Sequence, residues 1–438
     1  MISLASLGFV TLAAFLALVL FTRVPVLVAL VGVPLLAALA GGFGGEVGKF
    51  SVEGIRTVAP VATMILFAVL YFGLMIDKGL FEPLVRRLVR MVREDPVRLC
   101  MVTALLPMLV ALDGDGATTF LISVTALLPV HRRMGMRPVV LPGIVGLSAG
   151  VMNLLPWGGP TARAMAALHT DVDAIFVPVI PAMLFGVAWV FLAAWLIGRG
   201  ERRRLAAGGV PKEPLPDETT ERETLRPPLF WFNAALTCGM IALLFQDLYA
   251  DAIGLAHVPA PLLFMLAFAI AWPVNCRSHE ARQEQLASHA GNAVLVTSMI
   301  LAAGVFTGIL GGSGMIKSMA QALASTVPQS LSAWFAPTVA ITGMPLSLVF
   351  TPDAYYFGVL PVLSGTAQAL GQDPLAVGRA AILGQMTTGF PLSPLTASTF
   401  ILIGLSEVSL RDHQRFVFKW AFATTSVMTL VALATGAI

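Results

Sequence analysis

Residues 99–130 read LCMVTALLPMLVALDGDGATTFLISVTALLPV. Two apolar arms meet at Asp113-Gly114-Asp115-Gly116, and arginines crowd both ends, from Arg86 to Arg98 before the stretch and from Arg132 to Arg137 after it. Loops rich in Lys and Arg stay on the cytoplasmic side of a membrane, so both ends of this stretch belong on one side. A hydrophobic segment with both ends inside and a polar, glycine-bearing break halfway reads as a re-entrant helical hairpin. The competing reading is two full spans joined by an outside turn.

Working outward, the composition supports a membrane setting. Of 438 residues, 57% are hydrophobic and 12% charged, and the mean hydropathy is +0.86. A soluble domain carries about 25% charged residues. Apolar runs of about 20 residues, enough to cross a bilayer as a helix, recur along the chain. The first, from Ile2 to Leu20, is followed by further apolar runs and not by polar sequence, so it reads as a retained span. The net charge of +3 points to no nucleic-acid partner. Cys100, Cys238 and Cys276 form no C-x-x-C pair, and the six histidines show no metal-ligand spacing.

One segment breaks the apolar pattern. Residues 199–228, RGERRRLAAGGVPKEPLPDETTERETLRPP, are charged and non-periodic and read as a solvent-exposed linker between two halves. The halves echo each other. Val61, Met64, Ile65, Leu66, Ala68, Gly73 and Gly79 recur as Val296, Met299, Ile300, Leu301, Ala303, Gly308 and Gly314, all 235 residues later. Pro156, Thr161 and Ala162 recur as Pro391, Thr396 and Ala397 at the same offset. Gly135 and Pro138 match Gly371 and Pro374 at 236, and Ala117 and Phe120 match Ala354 and Phe357 at 237. Ordered Gly and Pro matches over about 100 residues indicate internal duplication.

Basic residues also orient the chain. Residues 138–168 run outward to an acidic turn at Asp171 and Asp173, and 171–197 return to the arginines at 199–204. In the second half Asp247 and Asp251 fall outside, whereas Arg277, Arg282, Arg411, Arg415 and Lys419 fall inside. Residues 331–366 then form a second hairpin that enters from the outside. Each half holds about five crossings plus one hairpin, and an odd number of crossings inverts the second copy relative to the first. The expected fold is an all-α polytopic membrane protein of two inverted repeats, with about ten transmembrane helices, two re-entrant hairpins and both termini outside. Residues 79–93, GLFEPLVRRLVRMVR, read either as an amphipathic helix on the cytoplasmic surface or as the end of the preceding span. Gly308 to Gly314, GILGGSG, lacks the lysine of a phosphate loop and reads as helix packing or a hinge.

Four polar interruptions carry the candidate chemistry: residues 113–119, 153–163, 351–356 and 391–399. Pro and Gly let a helix break, and exposed backbone is tolerated inside a membrane only where protein buries it or a cavity receives it. A helix that restarts there points N–H groups and its positive dipole end into the cavity, which suits an anion. Thr161 and Thr396 sit where such helices restart, and Ser393 lies just before the second. Their hydroxyls suit either capping or ligand contact. Asp113, Asp115 and Asp353 are membrane-depth carboxylates, each costing roughly 2.5–3.5 kcal/mol to insert at a helix centre. They are candidates for a proton, Na⁺ or a divalent metal. Arg163 suits a substrate carboxylate or one of these aspartates. An intramembrane aspartyl protease would need glycine at position 112, where Leu112 stands.

The stretches LDGDGATTFLI (112–122), SAGVMNLLPWGGPTARA (148–164), MPLSLVFTPDAYYFGVLPVL (344–363) and RDHQRFVFKWA (411–421) resemble the citrate–divalent metal–proton symporters of the ion transporter superfamily. The resemblance covers roughly residues 55–425. It implies uptake of citrate, or a related polycarboxylate, as a complex with a divalent cation such as Mg²⁺ or Ca²⁺, with H⁺ as coupling ion and no tightly bound cofactor. A Na⁺-coupled carrier of carboxylates or inorganic ions with the same fold is the alternative. The resemblance also implies an elevator motion and a homodimer. Scaffold parts would span 1–78 and 229–312, and transport parts 96–198 and 331–438. An interfacial helix at 79–95, the cytoplasmic linker at 199–228 and a connecting helix at 313–330 complete the division. Within the transport parts it expects hairpins at 99–130 and 331–366 and broken helices at 138–168 and 374–405. One half-site would hold Asp113, Asp115, Thr118, Thr119, Asn153, Gly158, Gly159, Thr161 and Arg163. The other would hold Asp353, Ser393, Thr396, Ser398 and Thr399, with the metal of the complex facing the three aspartates. Residues 393–399 read SPLTAST where the family pattern would read SPLVPST.

Overall fold

The computed structural model describes residues 3–92, 95–114, 116–208, 227–246 and 257–438. Every regular element among them is helical. Leu4–Phe21, Val47–Asp77, Val172–Ala207, His279–Gly312 and Leu410–Ala434 are long and apolar enough to cross a membrane, and shorter apolar helices accompany them.

The two halves follow one order. The first opens with Leu4–Phe21, Val26–Ala40 and Val47–Asp77, the second with Pro227–Leu244, Ala260–Asn275 and His279–Gly312. A short helix follows in each, Glu82–Arg90 or Met315–Ala324. Next comes a helix pair: Pro96–Val110 with Gly116–Arg133, and Phe335–Leu346 with Leu360–Ala369. An interrupted helix comes after it, Val140–Met152 continued by Gly159–Leu168, and Pro374–Ile382 continued by Ala397–Leu405. Ile180–Ala207 and Leu410–Ala434 close the halves.

Lipid tails are as apolar as leucine, so helices associate in a membrane through close packing, which small residues permit. The pairing of Val47–Asp77 with His279–Gly312 shows this. A Cβ on Gly54 would lie 1.9 Å from the Gly304 carbonyl oxygen, and one on Gly308 would lie 2.4 Å from that of Phe50. The GILGGSG stretch is therefore a packing surface. The pairing is antiparallel, because at the far end His289 Nε2 sits 2.7 Å from Asp77 Oδ2. A Cβ on Gly73 would meet the His289 ring at 2.6 Å. Position 289 lies 235 residues after 54, and 308 lies 235 after 73, so the repeat offset carries the Gly54–Gly308 contact onto the Gly73–His289 contact.

Charged groups gather on two opposite faces. On one, the buried Glu201 carboxylate accepts from the Arg137 amide at 3.1 Å and pairs with Arg204 at 3.0 Å. Arg202 pairs with Asp95 at 2.7 Å, and Arg132 with Glu407 at 2.8 Å. The arginine clusters at both ends of the first helix pair thus share a face. Asp95 also caps that pair, accepting from the Val97 amide at 3.1 Å. Partial desolvation pushes its carboxyl up, but the Arg202 and Val97 hydrogen bonds and the charges of Arg202 and Arg98 outweigh this and hold it below its ordinary value. On the opposite face, Arg379 pairs with Asp373 and donates to the carbonyls of Ala437 and Ala174, the latter at 3.1 Å. Beneath the arginine-rich face, Leu88 and Val92 pack into one core with both helices of the first pair and with Val140–Met152. The linker from 209 to 226, and Asp247 and Asp251, lie outside the described residues.

Candidate functional site

The first interruption falls between Met152 and Gly159. Gly158 is the residue at which the helix restarts, and its extended backbone leaves no room for a side chain, since a Cβ would lie 2.2 Å from the Asn153 carbonyl oxygen. Thr161 Oγ1 donates to the Leu154 carbonyl at 2.8 Å, satisfying an acceptor that the break leaves without its helical partner. The second interruption, between Ile382 and Ala397, closes the same way: Thr399 Oγ1 donates to the Phe390 carbonyl at 3.0 Å and shares a 2.7 Å hydrogen bond with Thr396 Oγ1. Ser393 Oγ accepts from the Leu395 amide at 3.2 Å. The threonines therefore tie the broken loops together and do not cap the restarts. Neither restart has a side-chain cap, which leaves its first N–H groups for another partner.

The two interruptions pack against each other. Asn153 Nδ2 donates to the Met386 carbonyl at 3.3 Å. A Cβ on Gly150 would meet the Thr387 carbonyl oxygen at 2.7 Å, and one on Gly146 the Pro391 Cβ at 2.6 Å. Each helix pair then brings its turn to this centre. The turn of the first has Gly114 at φ 72° and is fastened by the Trp157 indole, which donates to the Leu112 carbonyl at 2.7 Å. Phe120 stacks on Phe390 with centroids 5.6 Å apart. The turn of the second leads into a π-helical turn, Ala354–Val359, a distortion that recurs at functional sites. Tyr356 donates to the Gln385 carbonyl at 2.8 Å, and Ser347 Oγ to Gln385 Oε1 at 3.1 Å. The halves cross over: Ala397–Leu405 packs on Gly116–Arg133, and Gly159–Leu168 on Leu360–Ala369.

One charged contact joins the halves here. Arg163 Nε lies 2.7 Å from Asp353 Oδ1, with side chains 17% and 10% exposed, and Arg163 Nη1 donates to the Gly159 carbonyl at 3.1 Å. Arg163 Nη2 and Asp353 Oδ2 make no hydrogen bond among the described residues. Thr119 is buried, with an Oγ1 that has no partner among the described residues, while Thr118 and Ser398 are half-buried. Asp115 and the side chain of Asp113 lie outside the described residues. Asn153, Gly158, Gly159, Thr161, Arg163, Ser393, Thr396 and Thr399 lie in or next to the two interruptions, and Asp353 reaches Arg163 from the turn of the second helix pair. Ser347 and Gln385 lie outside the four polar interruptions that the sequence singles out. Their signal is faint: Gln385-Met386-Thr387-Thr388-Gly389 is a polar run just ahead of the fourth interruption, and Met386 has φ 52°.

The model of a citrate transporter family matches residues 5–384. Two Bacillus subtilis (strain 168) proteins, a "Citrate transporter" and a "Mg(2+)/citrate complex secondary transporter", are each 44% identical to this chain, and each alignment covers 99% of both sequences. Among solved structures, the Alcanivorax borkumensis YdaH transporter, described as having an unusual topology, superposes with a TM-score of 0.66 at 15% identity, covering 98% of each chain. That last likeness speaks to fold alone.

Proposed function

Because this chain belongs to the citrate transporter family, we propose that it is a secondary transporter carrying citrate, as its complex with Mg²⁺ or Ca²⁺, in symport with protons. The observation that carries this reading is the Arg163–Asp353 pair, which joins the halves beside the uncapped start of Gly159–Leu168. Helix N-termini at a mid-membrane break are the arrangement by which transporters hold anionic groups. Arg163 Nη2 and Asp353 Oδ2 make no hydrogen bond among the described residues; the first would donate to a substrate carboxylate and the second would face the metal of the complex. Thr118, Thr119, Asn153, Gly158, Gly159, Thr161, Ser393, Thr396, Ser398 and Thr399 would complete the substrate site. Asp113 and Asp115 would carry protons or face the metal from the first turn.

Charge explains why the substrate would be a complex. The citrate trianion repels a site that contains carboxylates, whereas one divalent cation reduces its net charge to one negative. Moving that charge into a negative-inside cell still costs ~2.3 kcal/mol per 100 mV, so more than one coupled proton makes uptake favourable in the field. The likeness to the 44% identical Mg(2+)/citrate complex secondary transporter supports the metal.

The same reading divides the chain into scaffold and transport parts moving as an elevator. The helix pairs become re-entrant hairpins, the copies inverted repeats, and the assembly a homodimer. Contacts related by the 235-residue offset in antiparallel helices support the inversion. The arginine-rich face would be cytoplasmic by its charge, with the linker on it and both termini opposite. Citrate uptake into proteoliposomes, with Mg²⁺ or Ca²⁺ and then with chelator, tests the substrate. Uptake that is equal or faster under chelator would remove the metal from the proposal, and uptake indifferent to an imposed pH gradient would remove the protons.

A further inference from the structure

A cavity of about 610 Å³ opens beside the long central helices, away from the Arg163–Asp353 pair. Thr307, Lys317 and Gln321 line one wall, and His169, Ser364 and Gln368 the other. The first belongs to His279–Gly312 and the helix after it, the second to the restarted helix Gly159–Leu168 and to Leu360–Ala369. One hydrogen bond spans them, His169 Nε2 to Thr307 Oγ1 at 2.9 Å.

Three observations give the cavity a chemical preference. Lys317 is exposed, and among the described residues it makes no ion pair and no Asp or Glu lines the cavity. Its net character is therefore cationic. The side-chain amides of Gln321 and Gln368 add donors that suit carboxylate oxygens. His169 ends the restarted helix at φ 54°, ψ 48°, the left-handed position that glycine usually fills. A histidine held there in a strained backbone has its imidazole placed on the wall.

The position relates the cavity to the binding centre. Arg163 and His169 lie on the same helix, and six residues at 1.5 Å rise place them roughly 9 Å apart along its axis. Thr307 and Lys317 lie at the far end of His279–Gly312 from Arg277 and Arg282, on the side away from the arginine-rich face. We propose that this cleft is a docking site for a polycarboxylate anion, free or metal-bound, held by Lys317, Gln321, Gln368 and His169 before it reaches Arg163. The proposal rests on the reading of the chain as a polycarboxylate carrier, and it adds a second site outside the one where the halves meet.

The test uses the full-length protein in oriented vesicles with Cys100, Cys238 and Cys276 replaced and one cysteine introduced as Ala369→Cys, at an exposed lining position outside the proposed contacts. Labelling rates are measured with membrane-impermeant anionic and cationic methanethiosulfonates. A cleft that concentrates anions raises the anionic-to-cationic rate ratio roughly tenfold over that of a free thiol, and added salt shrinks the effect. Lys317→Gln collapses the ratio while Lys317→Arg keeps it, and citrate or its magnesium complex slows labelling only where the charge is present. Gly311→Cys, where an added side chain meets open space, repeats the measurement should Ala369→Cys fold poorly. A ratio indifferent to Lys317→Gln, or labelling that citrate does not slow, would overturn the docking site. Citrate uptake by the unlabelled parent is followed in parallel. Its absence would overturn the transport reading, whereas a failed labelling result beside normal uptake overturns the docking site alone.

Discussion

Removing one member of the Arg163–Asp353 pair tests the centre most directly. The contact is 2.7 Å long between side chains only 17% and 10% exposed, so neither charge regains much water when its partner is removed. At an effective dielectric of 20 the Coulomb attraction at that distance is ~6 kcal/mol, and the desolvation of both groups offsets part of it. Stranding one buried charge costs about 3–5 kcal/mol. Arg163→Met or Asp353→Leu alone should lower the unfolding midpoint in detergent by roughly 5–10 °C. The double variant leaves no unpaired charge and should recover at least half of that loss. Uptake should behave otherwise: both single variants and the double variant lose citrate accumulation in proteoliposomes, because the groups that would face substrate are gone. A double variant that regains stability and uptake together would show a purely structural pair. Single variants as stable as the parent would show that the two charges are not paired as described.

Three further outcomes follow from named contacts, and a fourth from the sequence. Gly54→Ala places a methyl group 1.9 Å from the Gly304 carbonyl oxygen and should abolish a monodisperse, folded protein in size-exclusion chromatography, while Gly48→Ala, with open space around it, should not. Thr161→Val removes the donor to Leu154 and leaves a buried carbonyl unmet, costing about 1–3 kcal/mol in thermal unfolding, and Thr161→Ser should restore it. Asp95 is held below its ordinary value, so its contribution is fully present above the unfolded carboxyl pKa of about 3.9 and is lost as pH falls through the lower folded value. Asp95→Asn should therefore reduce stability at pH 7 and flatten its decline on acidification, which acid-unfolding curves would show. Asp115→Asn, proposed from sequence alone, should abolish proton-coupled uptake with normal membrane insertion, and accumulation at the parent's level would remove that residue from coupling.

Hydropathy, glycines, prolines and charged loops act locally, and the membrane makes local signals decisive because every backbone group in lipid must be satisfied within its own helix. That is why the order of helices, the breaks near 113, 153, 351 and 391 and the grouping of arginines on one face could be read from the chain by itself. Partners distant in sequence left no such mark. Arg163 could have faced any of the aspartates, and the threonines of 161 and 396 could equally have capped their helices; the packing of the two breaks set Asp353 beside Arg163 and turned Thr161 back to Leu154. Ser347 and Gln385 stayed unnoticed for the same reason, each being ordinary until the second helix pair is laid against the second break. Packing decides such contacts because close approach depends on which small residues, such as Gly150 and Gly146, meet carbonyls and rings from the other half. Periodicity within one helix carries no record of that.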